Sequence, residues 1–423
     1  MLLVRHRAPL LSQLHAACRQ PLFPRPFPPL SRLLSAAPRG AAPERPPPPP
    51  PPPHPPSWIT RLPAPLQPYL RLARVDRPVG TWLVLLPAWA GLALCAPPGA
   101  LPSLQHALLF GSGAFLMRGA GCTVNDMWDR NFDGAVSRTA GRPLPSGAVS
   151  LGGAGAFLGA QLGVGLWCLL QLNGAATAAG VACLPLVALY PALKRFTHAP
   201  QVALGLAMNY GVVVAAAATR GGAGGGSVEA ARGALEWAGA GVGGGGAADA
   251  LLRAREALRG AVPWVAADGA GSGGGCDPLL LLHHVFLGAE GGAAVAVLPL
   301  YLGCAAWTVV YDTLYAHQDR AEDEALGLRS TAVWLGGGRA ANVAALGGLT
   351  AVAGGLWGAA GAAAGLAWPF YVGAGAATAH LGWQVGTAVL SDRDNLGRRF
   401  LSNRVTGALL LAGVVAGRLV QGA

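Results

Sequence analysis

Six aspartates in two widely separated groups are the residues of this chain best equipped for chemistry. The first group stands in Asn125-Asp126-Met127-Trp128-Asp129-Arg130-Asn131-Phe132-Asp133. The second stands in Tyr311-Asp312-Thr313-Leu314-Tyr315-Ala316-His317-Gln318-Asp319-Arg320-Ala321-Glu322-Asp323. At about 100° per helical residue, Asp126, Asp129 and Asp133 fall within roughly 60° of one another, and Asp312, Asp319 and Asp323 within roughly 40°. Arg118 and Asn125 widen the first stripe to about 100°. Both groups close apolar runs. A carboxylate at membrane depth costs about 2.5–3.5 kcal/mol, so three on one face call for a cationic partner. Two facing sets of hard oxygen ligands suit Mg²⁺, which takes one or two carboxylates and completes its sphere with phosphate oxygens and water. The bland alternative is a pair of charged helix ends at a membrane surface. It serves for either group alone better than for both.

The elements that carry these groups belong to a membrane protein. Of 423 residues, 52% are hydrophobic and only 12% charged, against about a quarter charged in soluble domains. Apolar runs occur near 80–96, 104–124, 148–170, 174–192, 200–219, 291–311, 341–360, 366–390 and 405–420, which predicts nine transmembrane helices in an all-α polytopic bundle. Their many Ala and Gly suit close helix–helix approach. No broken helix pair or internal repeat is evident among them, which argues against a transporter. The seven cysteines have no C-x-x-C spacing, so neither a disulfide framework nor a zinc site is indicated. The net charge of +11 is concentrated at the N-terminus, where six arginines precede the first acid, Glu44. That asymmetry reads as a mitochondrial transit peptide over 1–45 and not as nucleic-acid binding. A Pro-rich segment expected to be disordered follows over 46–69. The membrane domain then divides into 70–220 and 278–423, separated by a Gly/Ala-rich insert over 221–277.

Parity places the loops after the even-numbered spans on one side, with both aspartate groups. Those loops carry Arg130, Arg138, Arg142, Lys194, Arg195, Arg320, Arg329, Arg398, Arg399 and Arg404, whereas the loops after spans one, three and seven carry no Lys or Arg. The positive-inside rule turns the aspartate face toward the matrix of an inner-membrane protein, and the insert away from it. In Arg74-Val75-Asp76-Arg77-Pro78, ahead of the first span, Arg74 and Asp76 read as interfacial anchors.

The first aspartate group, followed by Arg138-Thr139-Ala140-Gly141-Arg142-Pro143-Leu144-Pro145-Ser146-Gly147, closely resembles the first signature of the UbiA superfamily of intramembrane prenyltransferases. The second group, ending in Gly327-Leu328-Arg329-Ser330-Thr331, resembles the second. The resemblance covers 70–220 and 278–420. It departs at Gly141, where the family commonly has Asn, and at Arg329, which replaces a common Lys.

The resemblance implies a bundle of about nine helices and an Mg²⁺-dependent transfer from an allylic diphosphate. Metal ligands are then expected at Asp126, Asp129, Asp133, Asp312, Asp319 and Asp323, of which Asp126, Asp129, Asp312 and Asp319 are the expected catalytic set. Arg142, Lys194, Arg195 and Arg329 are expected to hold phosphate oxygens. Arg118 and Asn125 are expected in the pocket of the aromatic acceptor, with a pair between Arg118 and Asp129 of its own helix as the alternative. Tyr190, Tyr210, Tyr311 and Tyr315 are candidates to face an allylic cation. The wording Tyr-Ala-His-Gln-Asp resembles the 4-hydroxybenzoate branch. It implies polyprenyl transfer from an all-trans-polyprenyl diphosphate to the ring carbon ortho to the hydroxyl of 4-hydroxybenzoate, a step of ubiquinone synthesis. Implied partners are those two substrates, inner-membrane lipid and other proteins of that synthesis. The alternatives are another acceptor (homogentisate, a naphthoate or haem) or a divalent-cation transporter.

Overall fold

A computed structural model of the chain describes residues 58–134, 139–193, 197–219, 292–325 and 327–422. Among the described residues the secondary structure is entirely helical. The transit-peptide segment, the insert, and Lys194 and Arg195 lie outside them.

A short 3₁₀ turn, Trp58–Arg61, and helix α1, Gln67–Leu72, precede the bundle, with Ile59 and Leu72 fully buried. The segment expected to be disordered over 46–69 is therefore helical at its C-terminal end, because these two side chains find apolar cover. The bundle helices follow: α2 (Val79–Leu94), α3 (Leu104–Asp133), α4 (Leu151–Leu170), α5 (Gly174–Leu193), α6 (Pro200–Asn209) and α7 (Gly211–Ala218). After the insert come α8 (Gly292–Ala316), α9 (Arg320–Ala325), α10 (Thr331–Leu335), α11 (Arg339–Ala363), α12 (Trp368–Thr387) and α13 (Arg393–Gln421). All nine apolar runs fall on these helices. Six helical segments are long and apolar enough to cross a membrane, and Val79–Leu94 and Gly174–Val187 are shorter apolar helices.

Several starts are capped as their sequences dictate. Ser150 accepts from the Gly153 N–H at 3.1 Å, and Asp392 accepts from the Asp394 and Asn395 N–H groups at 2.9 and 3.0 Å, satisfying donors that a helix leaves open. Glycine sets the closest crossing. A Cβ on Gly373 of α12 would lie 2.5 Å from Gly413 Cα of α13, so only glycine lets these backbones meet.

Two spans differ from the sequence expectation. The fifth run is two helices that meet at Tyr210, where the backbone tightens through a Tyr210 N–H to Ala207 carbonyl bond of 3.3 Å. Fully buried Asn209 donates there to the Gly205 and Cys304 carbonyls and to Thr308 Oγ1 at 2.7, 3.2 and 2.8 Å, fixing α6 to α8. The second aspartate group is not one continuous helix either. Asp312 lies on α8, Asp323 on α9, and Asp319 in the turn between them. The helix stops after Ala316 through i→i+3 bonds, among them Asp319 N–H to the Ala316 carbonyl at 3.2 Å, the tightened geometry that ends many helices. His317 anchors this turn: its Nε2 donates to Asn342 Oδ1 at 2.8 Å, while Asn342 Nδ2 donates to the Gly336 and Gly338 carbonyls.

The main core joins α2, α7, α8, α11, α12 and α13 around Trp307, Trp357, Phe370 and Leu381. A second cluster, including Leu85, Ala88, Phe110, Leu172, Ala176 and Ala215, packs α2, α3, α5 and α7.

Candidate active site

Helix α3 has 30 residues, about 45 Å at 1.5 Å per residue, against a hydrocarbon core of about 30 Å. The helix is therefore longer than the core needs, and its acidic residues are gathered at its C-terminal end, around and past the close of the apolar stretch Leu104–Arg130. Across from it, α8 carries Asp312 one turn before its end, and the turn and α9 bring Asp319 and Asp323. All six aspartates line one cavity of about 720 Å³, together with Arg118, Asn125, Arg142 and Arg329. Two groups nearly two hundred residues apart thus share one space.

Asp126 is 1% exposed and is held by two arginines. Arg74 Nη2 donates to Asp126 Oδ2 at 3.0 Å and to Oδ1 at 3.2 Å, while Arg142 Nη1 donates to Asp126 Oδ1 at 3.0 Å and to Asp133 Oδ2 at 2.8 Å. Arg142, expected to hold phosphate, thus bridges two of the expected metal ligands. Burial raises the Asp133 carboxyl above the usual carboxylate range; Arg142 works against this, and Asp126 and Asp129 reinforce it. Beside Gly141, the Arg142 N–H reaches the Thr139 carbonyl at 2.9 Å and the Val149 N–H the Pro143 carbonyl at 3.0 Å, tying this stretch through its backbone.

Arg74 corrects the reading of an interfacial anchor. It follows α1 with φ +58°, in the left-handed region, and is the one non-glycine there among the described residues. The Val75 N–H reaches the Leu70 carbonyl at 3.0 Å and the Arg74 N–H the Arg71 carbonyl at 3.1 Å. This is the Schellman arrangement, in which glycine usually occupies the left-handed place. An arginine there costs about 1–2 kcal/mol and sends its guanidinium to Asp126. No sequence signal marks it, since the usual glycine is missing.

Arg118 forms no ion pair or hydrogen bond among the described residues, which removes the alternative of a pair with Asp129. Its Nε is buried without a partner, and its guanidinium lies against Gly80 of α2 at a contact that leaves no room for a Cβ. An unpaired cation aimed into a cavity is a site for an anion.

A model of the UbiA prenyltransferase family matches residues 84–242 and 264–410. The chain belongs to this family. The match leaves 243–263 outside it, within the stretch read as an insert. Relatives include the "4-hydroxybenzoate polyprenyltransferase, mitochondrial" of Rattus norvegicus, 37% identical over 371 residues, covering 86% of this chain and 78% of that one. The protein of the same name from Homo sapiens is 36% identical over 369 residues, with 85% and 78% covered. That of Aedes aegypti is 37% identical over 84% of this chain, which spans 64% of the mosquito protein's length. The fold matches that of a UbiA homolog from Aeropyrum pernix K1 solved in its apo form, with TM-score 0.54 at 24% identity over 79% of this chain and 96% of that one.

Within this UbiA bundle the cavity has two parts. At the aspartate end its wall is polar, with Tyr311 and Tyr315; Tyr210 also lines the cavity, packed edge-on at 6.1 Å against Tyr301, which lies about three helical turns before Asp312. Phe400 of α13 also lines it, with ring centroids 4.4 Å from Tyr315 and 5.7 Å from Tyr311. Nothing in the local sequence marks Phe400; only the arrival of α13 beside α8 gives it this place. Away from the aspartates the wall is apolar, with Phe110, Gly113, Leu166, Leu169 and Leu184. Leu166 and Leu184 are exposed, which leaves this apolar arm open on the side of α4 and α5.

The donor set fits Mg²⁺ in one particular way. Among the described residues no three His, Cys, Asp or Glu side chains converge as a ready-made cage, whereas six carboxylates line one cavity. Hard oxygen donors spread in this way suit an ion shared with a diphosphate, which supplies the remaining ligands.

Proposed function

We propose that the chain transfers a polyprenyl group from an all-trans-polyprenyl diphosphate to the ring carbon ortho to the hydroxyl of 4-hydroxybenzoate, a step of ubiquinone synthesis. The observation that carries this reading is the single cavity with six aspartates at one end, an unpaired arginine beside them and an apolar arm beyond. The names of the relatives support the choice of acceptor.

Asp126, Asp129 and Asp133 from one side, and Asp312, Asp319 and Asp323 from the other, would hold Mg²⁺. When bound, the ion supplies charge neutralisation and Lewis acidity toward the leaving diphosphate. Arg74 and Arg142 fix Asp126 and Asp133 in place and keep positive charge at the mouth. Arg329, Lys194 and Arg195 add to the set that receives phosphate oxygens. Arg118 binds the carboxylate of the aromatic acid, and Asn125, two turns along the same face, meets the polar end of its ring. The allylic carbon–oxygen bond breaks, a carbon–carbon bond forms and the ring proton is released. Tyr311, Tyr315 and Phe400 offer aromatic faces to the developing allylic cation, and the apolar wall keeps water from intercepting it.

The basic loops on the aspartate side support a place in the mitochondrial inner membrane with the mouth facing the matrix. Membranes containing the chain should transfer labelled isoprenoid to 4-hydroxybenzoate only with a divalent cation. Transfer to homogentisate, a naphthoate or haem in preference to 4-hydroxybenzoate would overturn the acceptor, and cation flux without transfer would overturn the reaction.

A further inference from the structure

The stripe of α3 that faces the cavity includes two glycines whose side-chain position is empty. A Cβ built on Gly113 or Gly121 meets nothing within 4 Å, and both residues line the cavity. Some glycines of the bundle serve close approach instead: a Cβ on Gly205 would lie 2.7 Å from the Ala305 carbonyl oxygen, and one on Gly413 2.9 Å from Gly373 Cα. Others, such as Gly159 and Gly348, also have open space but do not line the cavity. Glycine inside a helix costs about 1 kcal/mol relative to alanine. At Gly113 no neighbouring element requires that sacrifice. What the missing side chain leaves is cavity volume.

Position along the helix gives this volume a meaning. Gly121 lies about 7 Å from Asp126 at 1.5 Å per residue and Gly113 about 20 Å. Gly121 therefore belongs with Arg118 and Asn125 at the reacting end, and Gly113 with Leu109, Phe110 and Leu166 in the apolar arm. An isoprene unit adds four chain bonds of about 1.5 Å, roughly 5 Å of reach. With its diphosphate at the aspartates, a tail meets position 113 only after about four units.

We propose that Gly113 determines which isoprenoid lengths the protein accepts, by leaving open the passage that the distal tail takes along α3. This rests on the reading of a polyprenyl diphosphate as substrate. A leucine at 113 blocks the passage for long tails and spares short ones, which end before reaching it.

The test uses the full chain in proteoliposomes with geranyl diphosphate and with a diphosphate of eight or more isoprene units. In Gly113→Leu the ratio of kcat/KM for the long substrate to that for the short one should fall by about tenfold or more, with the KM for the aromatic acid unchanged. Gly121→Leu should depress both lengths alike. Gly159→Leu is the control, since a Cβ there also meets nothing within 4 Å but the residue does not line the cavity; its ratio should match wild type. Equal loss at both lengths in Gly113→Leu, or no change in the ratio, would overturn the proposal. Thermal stabilisation by each diphosphate with Mg²⁺ gives a second readout that needs no turnover. If the wild-type chain transfers no isoprenoid at all, the functional reading fails. The proposal is then still decided by whether Gly113→Leu loses stabilisation by the long diphosphate alone (support) or keeps it (refutation).

Discussion

Arg74 Nη2 stands 3.0 Å from Asp126 Oδ2, joining the left-handed residue after α1 to the most buried of the six aspartates. The strain at Arg74 and its contact with Asp126 are two sides of one arrangement. The turn that only glycine adopts freely is taken by the side chain that orients the carboxylate. Arg74→Gly should therefore separate stability from activity. Relief of the left-handed backbone offsets the lost ion pair, so thermal stability in detergent should stay near wild type, while kcat/KM falls by about tenfold, as expected when a charge-assisted contact is lost. A drop in both together would make Arg74 a structural residue only.

Asp126→Asn and Asp312→Asn should each abolish turnover without preventing membrane insertion. Each removes charge from a different side of the cavity, and α3 and α8 keep their packing elsewhere. Activity measured against Mg²⁺ concentration checks this. A variant matching wild type at limiting Mg²⁺ would rule out the two-sided metal site.

Arg118→Ala should raise the KM for the aromatic acid by about tenfold, because a contact made with the ground-state carboxylate contributes to binding. Gly80→Ala should reproduce the effect from the neighbouring helix. A Cβ at position 80 meets the Arg118 guanidinium, the far end of a flexible side chain, so the arginine moves and the fold survives. Should either variant raise the KM for the diphosphate instead, Arg118 belongs to the leaving-group site.

Replacing 243–263, the stretch outside the family match, with a short Gly-Ser linker should leave prenyl transfer within about threefold of wild type, since loop closure depends only weakly on length. In mitoplasts the insert should be open to protease from the intermembrane-space side while the aspartate loops stay protected. Cleavage of the insert only after the inner membrane is breached would reverse the proposed orientation.

Local pattern alone determined much of this protein. The nine apolar runs could be read off and all fall on helices of the bundle, because the bilayer demands length and hydropathy from each span separately. Asp126, Asp129 and Asp133 could be placed on one face because helical periodicity is a local property. Tertiary structure decided what depends on elements arriving from elsewhere in the chain. The second aspartate group bends after Ala316, where His317 is held by Asn342 of α11, so its spacing does not report one continuous face. Arg74 joins the site through a backbone turn for which its own residue type is a poor indicator. Phe400 faces Tyr315 only because α13 returns beside α8. The emptiness beside Gly113 is likewise invisible in sequence, because the same residue elsewhere in the bundle marks the tightest contact. Which of the two a glycine signifies depends on the distance to the next helix, and only the packed bundle sets that distance.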